Sequence, residues 1–197
     1  AVGGGVMTYR LIDITGRAAV EVDPGPSPML QWVAIADLVI DEEYQRPLGQ
    51  KNWTAIQMIA ANFHWSRFGA LQVAPIDGGR FAVMDGQHRA HAAALCGFAQ
   101  VPAMVVQVGR AEQGRAFSWI NAQKINVRVY QVFKADLAGG VEWAVRADRA
   151  VSAAGCKLLQ NHPSSKEKQP GQVPCVGLIR GLIAAGMDEA ITAGLEA

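Results

Sequence analysis

Val83-Met-Asp-Gly-Gln-His-Arg-Ala-His-Ala-Ala-Ala-Leu-Cys-Gly97 is the stretch on which the reading of the whole chain turns. Its first residues close Arg80-Phe-Ala-Val-Met84, a short apolar run with the character of a strand. Gly86 lets the backbone turn sharply. Ala90-His-Ala-Ala-Ala-Leu-Cys96 then follows, dense in the best helix former and stopped by Gly97. The first amides of a helix have no acceptor within it, and the helix dipole adds about half a positive charge at that end, so a strand–glycine–helix junction attracts anions. Arg89 contributes a fixed fork of donors and His88 a titratable one, a set suited to a polyphosphate. A second reading stays open, in which Asp85 caps the helix or holds Arg89 and the junction is structural only.

Working outward, Leu71-Gln-Val-Ala-Pro-Ile76 and Arg80–Met84 are separated by Asp77-Gly-Gly79, which reads as a hairpin. Upstream, Trp53, Ile56, Ile59, Ala60 and Phe63 recur at helical spacing over residues 52–63, with Asn52 able to cap. A β-rich stretch, Gln31 to Ile40, precedes this helix and runs into the polar turn Asp41-Glu-Glu-Tyr-Gln-Arg-Pro47. Tyr9–Ile14 and Ala18–Val22 alternate across Thr15-Gly16-Arg17 and are expected to pair as a hairpin; Pro24-Gly-Pro-Ser-Pro28 then breaks regular structure and marks a boundary. Downstream, Val101–Val108 supplies another strand. Beyond Gly109 the pattern is helical, with breaks near Gly139-Gly140, Gly155, Asn161 to Gln172, and Gly186.

Met84-Asp85-Gly86-Gln87-His88-Arg89 with its alanine-rich helix resembles the phosphate motif of the ParB/sulfiredoxin superfamily, in the short form most like ParB-like proteins of phages and mobile elements. Tyr44-Gln45-Arg46-Pro47, the helix, the strand pair and the Val101-Pro102 strand follow that family's order over residues 31–125. The resemblance implies an α+β fold, a small mixed sheet with flanking helices followed by a C-terminal helical lobe. Its expected parts are an N-terminal hairpin or extension over 1–30, a nucleotide-binding domain over 31–110 and the lobe over 111–197. It implies a bound nucleoside triphosphate, CTP or ATP with Mg²⁺, held by Asp85, Gly86, Gln87, His88 and Arg89, with Arg46 from the upstream box. Ile120-Asn121-Ala122-Gln123-Lys124 is similar to a later box reading Glu-Asn-x-Gln-Arg, so Asn121 and Gln123 join the nucleotide set and Asn121 the magnesium. Ile120 stands where the family has its Glu and Lys124 where it has its Arg. Hydrolysis therefore needs a carboxylate from the turn at Asp41, Glu42 or Glu43. The catalytic candidates for an NTPase, phosphotransferase or nuclease are Glu42, Glu43 and His88. Sulfiredoxins place a catalytic cysteine immediately before the His-Arg pair; here Gln87 stands there, and sulfinic-acid reduction is not expected.

The charge distribution bears on partners. Residues 1–109 carry 7 basic and 9 acidic side chains, residues 110–180 carry 11 and 5, and residues 181–197 carry 0 and 3. The basic middle suits phosphate-bearing partners or simply solvated helix faces. As ParB-like proteins use a helical region for DNA, the resemblance makes Lys124, Arg128, Arg146 and Arg149 the candidate DNA contacts. No helix-turn-helix is legible. Val173–Ile183 has few polar residues and suits packing or a homodimer contact. With 50% apolar and 18% charged residues the chain is expected to fold rather than stay disordered. No apolar run reaches the length of a bilayer span, and residues 1–7 lack the features of an export signal, so no membrane association is expected. Cys96, Cys156 and Cys175 form neither a disulfide set nor a zinc spacing, consistent with a cytoplasmic setting. His88 and His91 share a helix face without an evident third metal ligand. Phe63, His64, Trp65 and Phe68 read as a helix end packed on the sheet, or as rings on which a base stacks.

Overall fold

Alternation of side chains along the strands sets the two faces of the sheet. The structure, a computed structural model, describes residues 10–45, 47–123, 127–160 and 169–196. Strand β1 spans Met29–Ala34, β2 Leu38–Val39, β3 Leu71–Ile76, β4 Arg80–Asp85 and β5 Gln100–Val105. They form one mixed sheet in the order β1-β5-β3-β4-β2, with β3 and β4 as the expected antiparallel hairpin and β5 parallel to β3. Leu71 and Val73, Val83, and Val101, Ala103 and Val105 lie on one face because successive side chains of a strand point to opposite sides. Helices α1 (Gln50–Ala61) and α2 (Gln87–Leu95) pack together, and Ala90 and Ala93 of α2 join that sheet core. Phe63, Phe68, Phe81 and Phe98 close it. Ala82 and Met84 are buried on the opposite face, where Met84 shares a depression with Glu112 and Ala116 of α3 (Arg110–Ala122). This is the α+β architecture that the motif order predicts.

The chain divides into two units, Ala1–Gln123 and Lys124–Ala197. Helix α3 packs on β4 and belongs to the first unit. In the second unit, α4 (Val129–Ala138), α5 (Glu142–Ala153), α6 (Val176–Ala184) and α7 (Asp188–Glu196) enclose a core of their own. Ala144, Ala147 and Val151 recur at three- and four-residue steps on the buried stripe of α5. Val176, Ile179 and Ile183 of α6 are buried within the same core, while Leu178 is exposed. A parallel pair of two-residue strands, β6 (Lys157–Leu158) and β7 (Gln172–Val173), completes the unit.

One expectation is corrected. The described residues from 10 to 28 contain no strand, and Leu11, Ile12, Ile14, Val20 and Val22 are exposed. Alternation alone does not hold a two-stranded hairpin that has no sheet or helix to cover its apolar face. Among the described residues no helix is long and apolar enough to cross a membrane.

Candidate functional site

Gly86 joins β4 to α2 at φ +103 and ψ 16, a conformation that favours glycine, and its carbonyl accepts the first helical bond, from Ala90 N–H at 2.9 Å. A Cβ built on Gly86 would stand 2.4 Å from Leu71 Cδ2 and 3.0 Å from Arg89 Nη2. The glycine is thus needed both for the turn and for the approach of Arg89. Arg89 Nη2 donates to Asp85 Oδ2 at 2.9 Å and to the Ala70 carbonyl at 3.4 Å, while its Nε is buried without a hydrogen-bond partner. Both possibilities raised by the motif therefore meet in one place. The first turn of α2 directs its amides past the helix end, and the arginine beside it is held by a carboxylate.

His88 Nε2 lies 3.1 Å from Asn52 Nδ2 across the α1–α2 contact. Asn52 Oδ1 accepts from Gly49 N–H at 3.1 Å, which fixes its amide so that Nδ2 faces the histidine and donates. His88 Nε2 is then the acceptor in this contact. The helix begins earlier than expected, with Gly49 rather than Asn52 at its N-cap; Asn52 sits at the third helical position and caps in reverse, by accepting from Gly49 N–H. His91 Nδ1 is 2.8 Å from the Gln87 carbonyl and donates to it. Among the described residues no group of three or more His, Cys, Asp or Glu could hold a metal ion.

The acidic turn has a different neighbour. Arg110 donates from Nε to Asp41 Oδ2 at 2.7 Å and from Nη2 to Asp41 Oδ1 at 2.9 Å, and its Nη2 stands 2.8 Å from Glu43 Oε2. The guanidinium holds the Asp41 carboxyl below the usual carboxylate range. Glu42 is exposed, beside a cavity that Asp41, Asp77 and Arg110 also line. Two of the three carboxylates thus hold an arginine where a cation would be needed. Gln45, next in the chain after Tyr44, is buried and donates its side-chain amide to the Val83 carbonyl on β4. Burial pushes the Tyr44 hydroxyl up, and its ring lies 5.3 Å from Phe117 of α3.

Asn121 Nδ2 donates to Phe117 O at 2.7 Å inside α3, and Gln123 ends that helix. Arg46 and Lys124 lie outside the described residues. Arg128 opens α4, its N–H bonded to Gln131 Oε1 at 3.0 Å. Arg149 is exposed on α5. Arg146 is instead engaged within its own unit, where its Nε meets Asp188 Oδ1 at 2.8 Å and ties α5 to α7. The rings of Phe63, Trp65, Phe68 and Phe98 pack on one another with centroids 4.8 to 5.5 Å apart. Sequence reasoning missed the Asn52–His88 contact and the pairing of Arg110 with Asp41, since neither shows in local spacing.

No family model matches the chain, and no curated protein matches it. Among solved structures, the C-terminally truncated chromosome-partitioning protein ParB from Caulobacter crescentus, complexed with CTP-gamma-S, superposes with a TM-score of 0.52. The match covers 86% of this chain and 99% of that one at 14% identity. The chain has a ParB-like fold. Two further solved structures superpose less closely. The same ParB complexed to the centromeric parS site gives a TM-score of 0.40 over 84% of this chain and 98% of that one, at 15% identity. Sulfiredoxin from Arabidopsis thaliana gives 0.36 over 45% and 97%, at 13% identity.

Proposed function

We propose that this protein of ParB-like fold binds a nucleoside triphosphate, CTP or ATP, at the Asp85–Arg89 turn and acts in a DNA-associated process. The observation that carries the reading is the Gly86 turn, which sets a helix start and the Arg89 guanidinium side by side. The fold is shared with a ParB complexed with CTP-gamma-S, and the same ParB is complexed elsewhere to parS DNA. Phosphate oxygens would take the first-turn amides of α2 and compete with Asp85 for Arg89, drawing the guanidinium toward the ligand. Arg46 and the α3 end at Asn121 and Gln123 would complete the enclosure.

Mg²⁺ fits this turn only as a companion of the phosphates. Asp41 and Glu43 already share Arg110, and no larger donor group exists among the described residues, so the ion would use phosphate oxygens and water with Asn121 as the side-chain contact. The same arrangement favours binding over hydrolysis, because Asp41 and Glu43 are committed to Arg110 and only Glu42 of the three turn carboxylates is left to position water. Lys124, Arg128 and Arg149 are the residues proposed to meet DNA phosphates, and Arg146 is proposed to brace the unit that presents them. Nucleotide occupancy would act as a switch to the extent that it binds one arrangement of α3 better than another.

Titration calorimetry with CTP, ATP and GTP, with and without Mg²⁺, tests the reading. Heat with at least one nucleotide, abolished by Arg89→Ala, is the expected result. Absence of heat with all three overturns it. The 2.9 Å Arg89–Asp85 pair favours a second reading, an interaction module in which the motif only secures a helix start. In that case Arg89→Ala lowers stability and changes no ligand affinity.

A further inference from the structure

Strand β1 is an outer strand of the sheet, and among the described residues it pairs only with β5, in an unbroken register from Met29 opposite Val105 to Ala34 opposite Gln100. Its other side therefore carries a row of N–H and C=O groups turned away from the sheet. Natural sheets blunt such an edge with a charge, a proline, a bulge or a very short strand. At the opposite edge β2 is two residues long. By contrast β1 is six residues long, reads Met-Leu-Gln-Trp-Val-Ala and has none of these protections. It leaves Met29, Leu30 and Trp32 more than half exposed, and Trp32 meets Trp65 edge-on at 5.5 Å. A regular, uncharged, apolar edge of this length is suited to accept another strand.

A segment of matching character lies unused in the same chain. Leu11, Ile12, Ile14, Val20 and Val22 are between 72% and 99% exposed, which is not the composition of a solvated tail. The turn between the two apolar runs is already made. Arg17 N–H donates to Ile14 O at 3.0 Å, Gly16 has φ +75, and Asp13 Oδ1 accepts from Thr15 N–H at 2.8 Å. Ala18, Val20 and Val22 alternate with Ala19 and Glu21, the pattern of a strand with one face covered. What the two runs lack is a sheet to lie against.

The path of the chain leads this arm away from its own edge. Asp23 to Pro26 line the depression that Gln72 of β3, Met84 of β4 and Glu112 and Ala116 of α3 also line. In the sheet order β5 stands between those strands and β1. Pro24, Pro26 and Pro28 fix φ along the connection and keep it extended, so the arm sets off from the middle of the sheet rather than folding back along β1.

We infer that residues 10–22 form a hairpin on the free β1 edge of a second copy of this chain, and that the second copy returns the same contact, giving a two-fold dimer joined by exchanged arms. Main-chain hydrogen bonds from the arm extend the partner sheet beyond β1, and the apolar side chains of the arm cover Leu30 and Trp32.

Sedimentation velocity on the whole chain over a concentration series tests this. The expected result is a monomer–dimer equilibrium that stops at the dimer. Ile12→Asp combined with Val20→Asp disables the arm, and Leu30→Lys charges the edge; these side chains are exposed, so the circular dichroism of the monomer should be unchanged. Each variant should dimerise about tenfold more weakly or worse. The two variants mixed should associate more tightly than either alone, because the intact arm of the Leu30→Lys chain meets the intact edge of the arm variant. A chain that stays monomeric up to about 1 mM overturns the inference. So does a dimer that either variant leaves unweakened, since its interface then lies elsewhere. A mixture no tighter than its components also overturns it, because the arm then does not cross between copies.

Discussion

Replacing Gly86 with alanine is the substitution whose cost follows most directly from the geometry. The backbone there has φ +103, and placing an L-residue in left-handed territory costs about 1–2 kcal/mol. The new methyl would also lie 2.4 Å from Leu71 Cδ2, and Leu71 is wholly buried in the sheet core and cannot swing into solvent. Forcing a methyl into a packed core costs a further 1–3 kcal/mol or so, for a combined loss of about 2–5 kcal/mol. Gly78, in the β3–β4 turn, is the control. It has φ +77 and nothing within 4 Å of the point where an alanine methyl would stand, so Gly78→Ala bears the conformational cost alone. Urea unfolding followed by tryptophan fluorescence and circular dichroism compares the two variants at equal slope. The methyl would further press on Arg89 Nη2 at 3.0 Å, so Gly86→Ala should weaken phosphate binding while Gly78→Ala leaves it intact. If Gly86→Ala were no less stable than Gly78→Ala, the close approach of Leu71 would not constrain this turn and the reasoning would fail.

Other expectations follow from the same structure. The folded-state pKa of Asp41 is depressed by Arg110, so its contribution is present above the ordinary carboxylate value of about 4 and is lost as pH falls through the lower folded value. Carboxyl NMR titration should place the Asp41 midpoint below that ordinary value, and Arg110→Ala should return it there; an unmoved midpoint refutes the pairing. Asp188, held low by Arg146, should behave in the same way in the second unit, with Arg146→Ala raising its midpoint. Ile183→Ala removes a side chain only 1% exposed in the second core and should cost that unit about 2–5 kcal/mol in denaturant unfolding, with a loss below about 1 kcal/mol counting against the assigned packing. If Arg149 meets DNA phosphates, Arg149→Ala should lower affinity for every DNA sequence alike and flatten the salt dependence by about one ion, whereas a change confined to one sequence would contradict a phosphate contact.

The motif around Gly86 was legible because each of its signals is local. The β3–β4 alternation, the Asp77-Gly-Gly79 turn and the alanine run of α2 lie within residues 71–97, and the structure forms all three elements. Alternation misled at residues 9–22, since pattern alone does not say whether a sheet exists for a strand to join. The β6 and β7 strands, two residues each, are too short to show a period. Long-range polar pairs were invisible for a related reason. Asp41 and Arg110 are 69 residues apart, and Asn52 and His88 are 36 apart. Arg146 reads as a surface cation in sequence, and only the proximity of Asp188 turns it into a tie between helices.

Backbone amide chemical shifts in an NMR titration with CTP and ATP in the presence of Mg²⁺ test the central claim most directly. The account predicts that the largest changes fall on Gly86, Gln87, His88 and Arg89 and that they vanish in Arg89→Ala. Saturating nucleotide that leaves those four amides unmoved, or moves residues elsewhere in the chain instead, would contradict it.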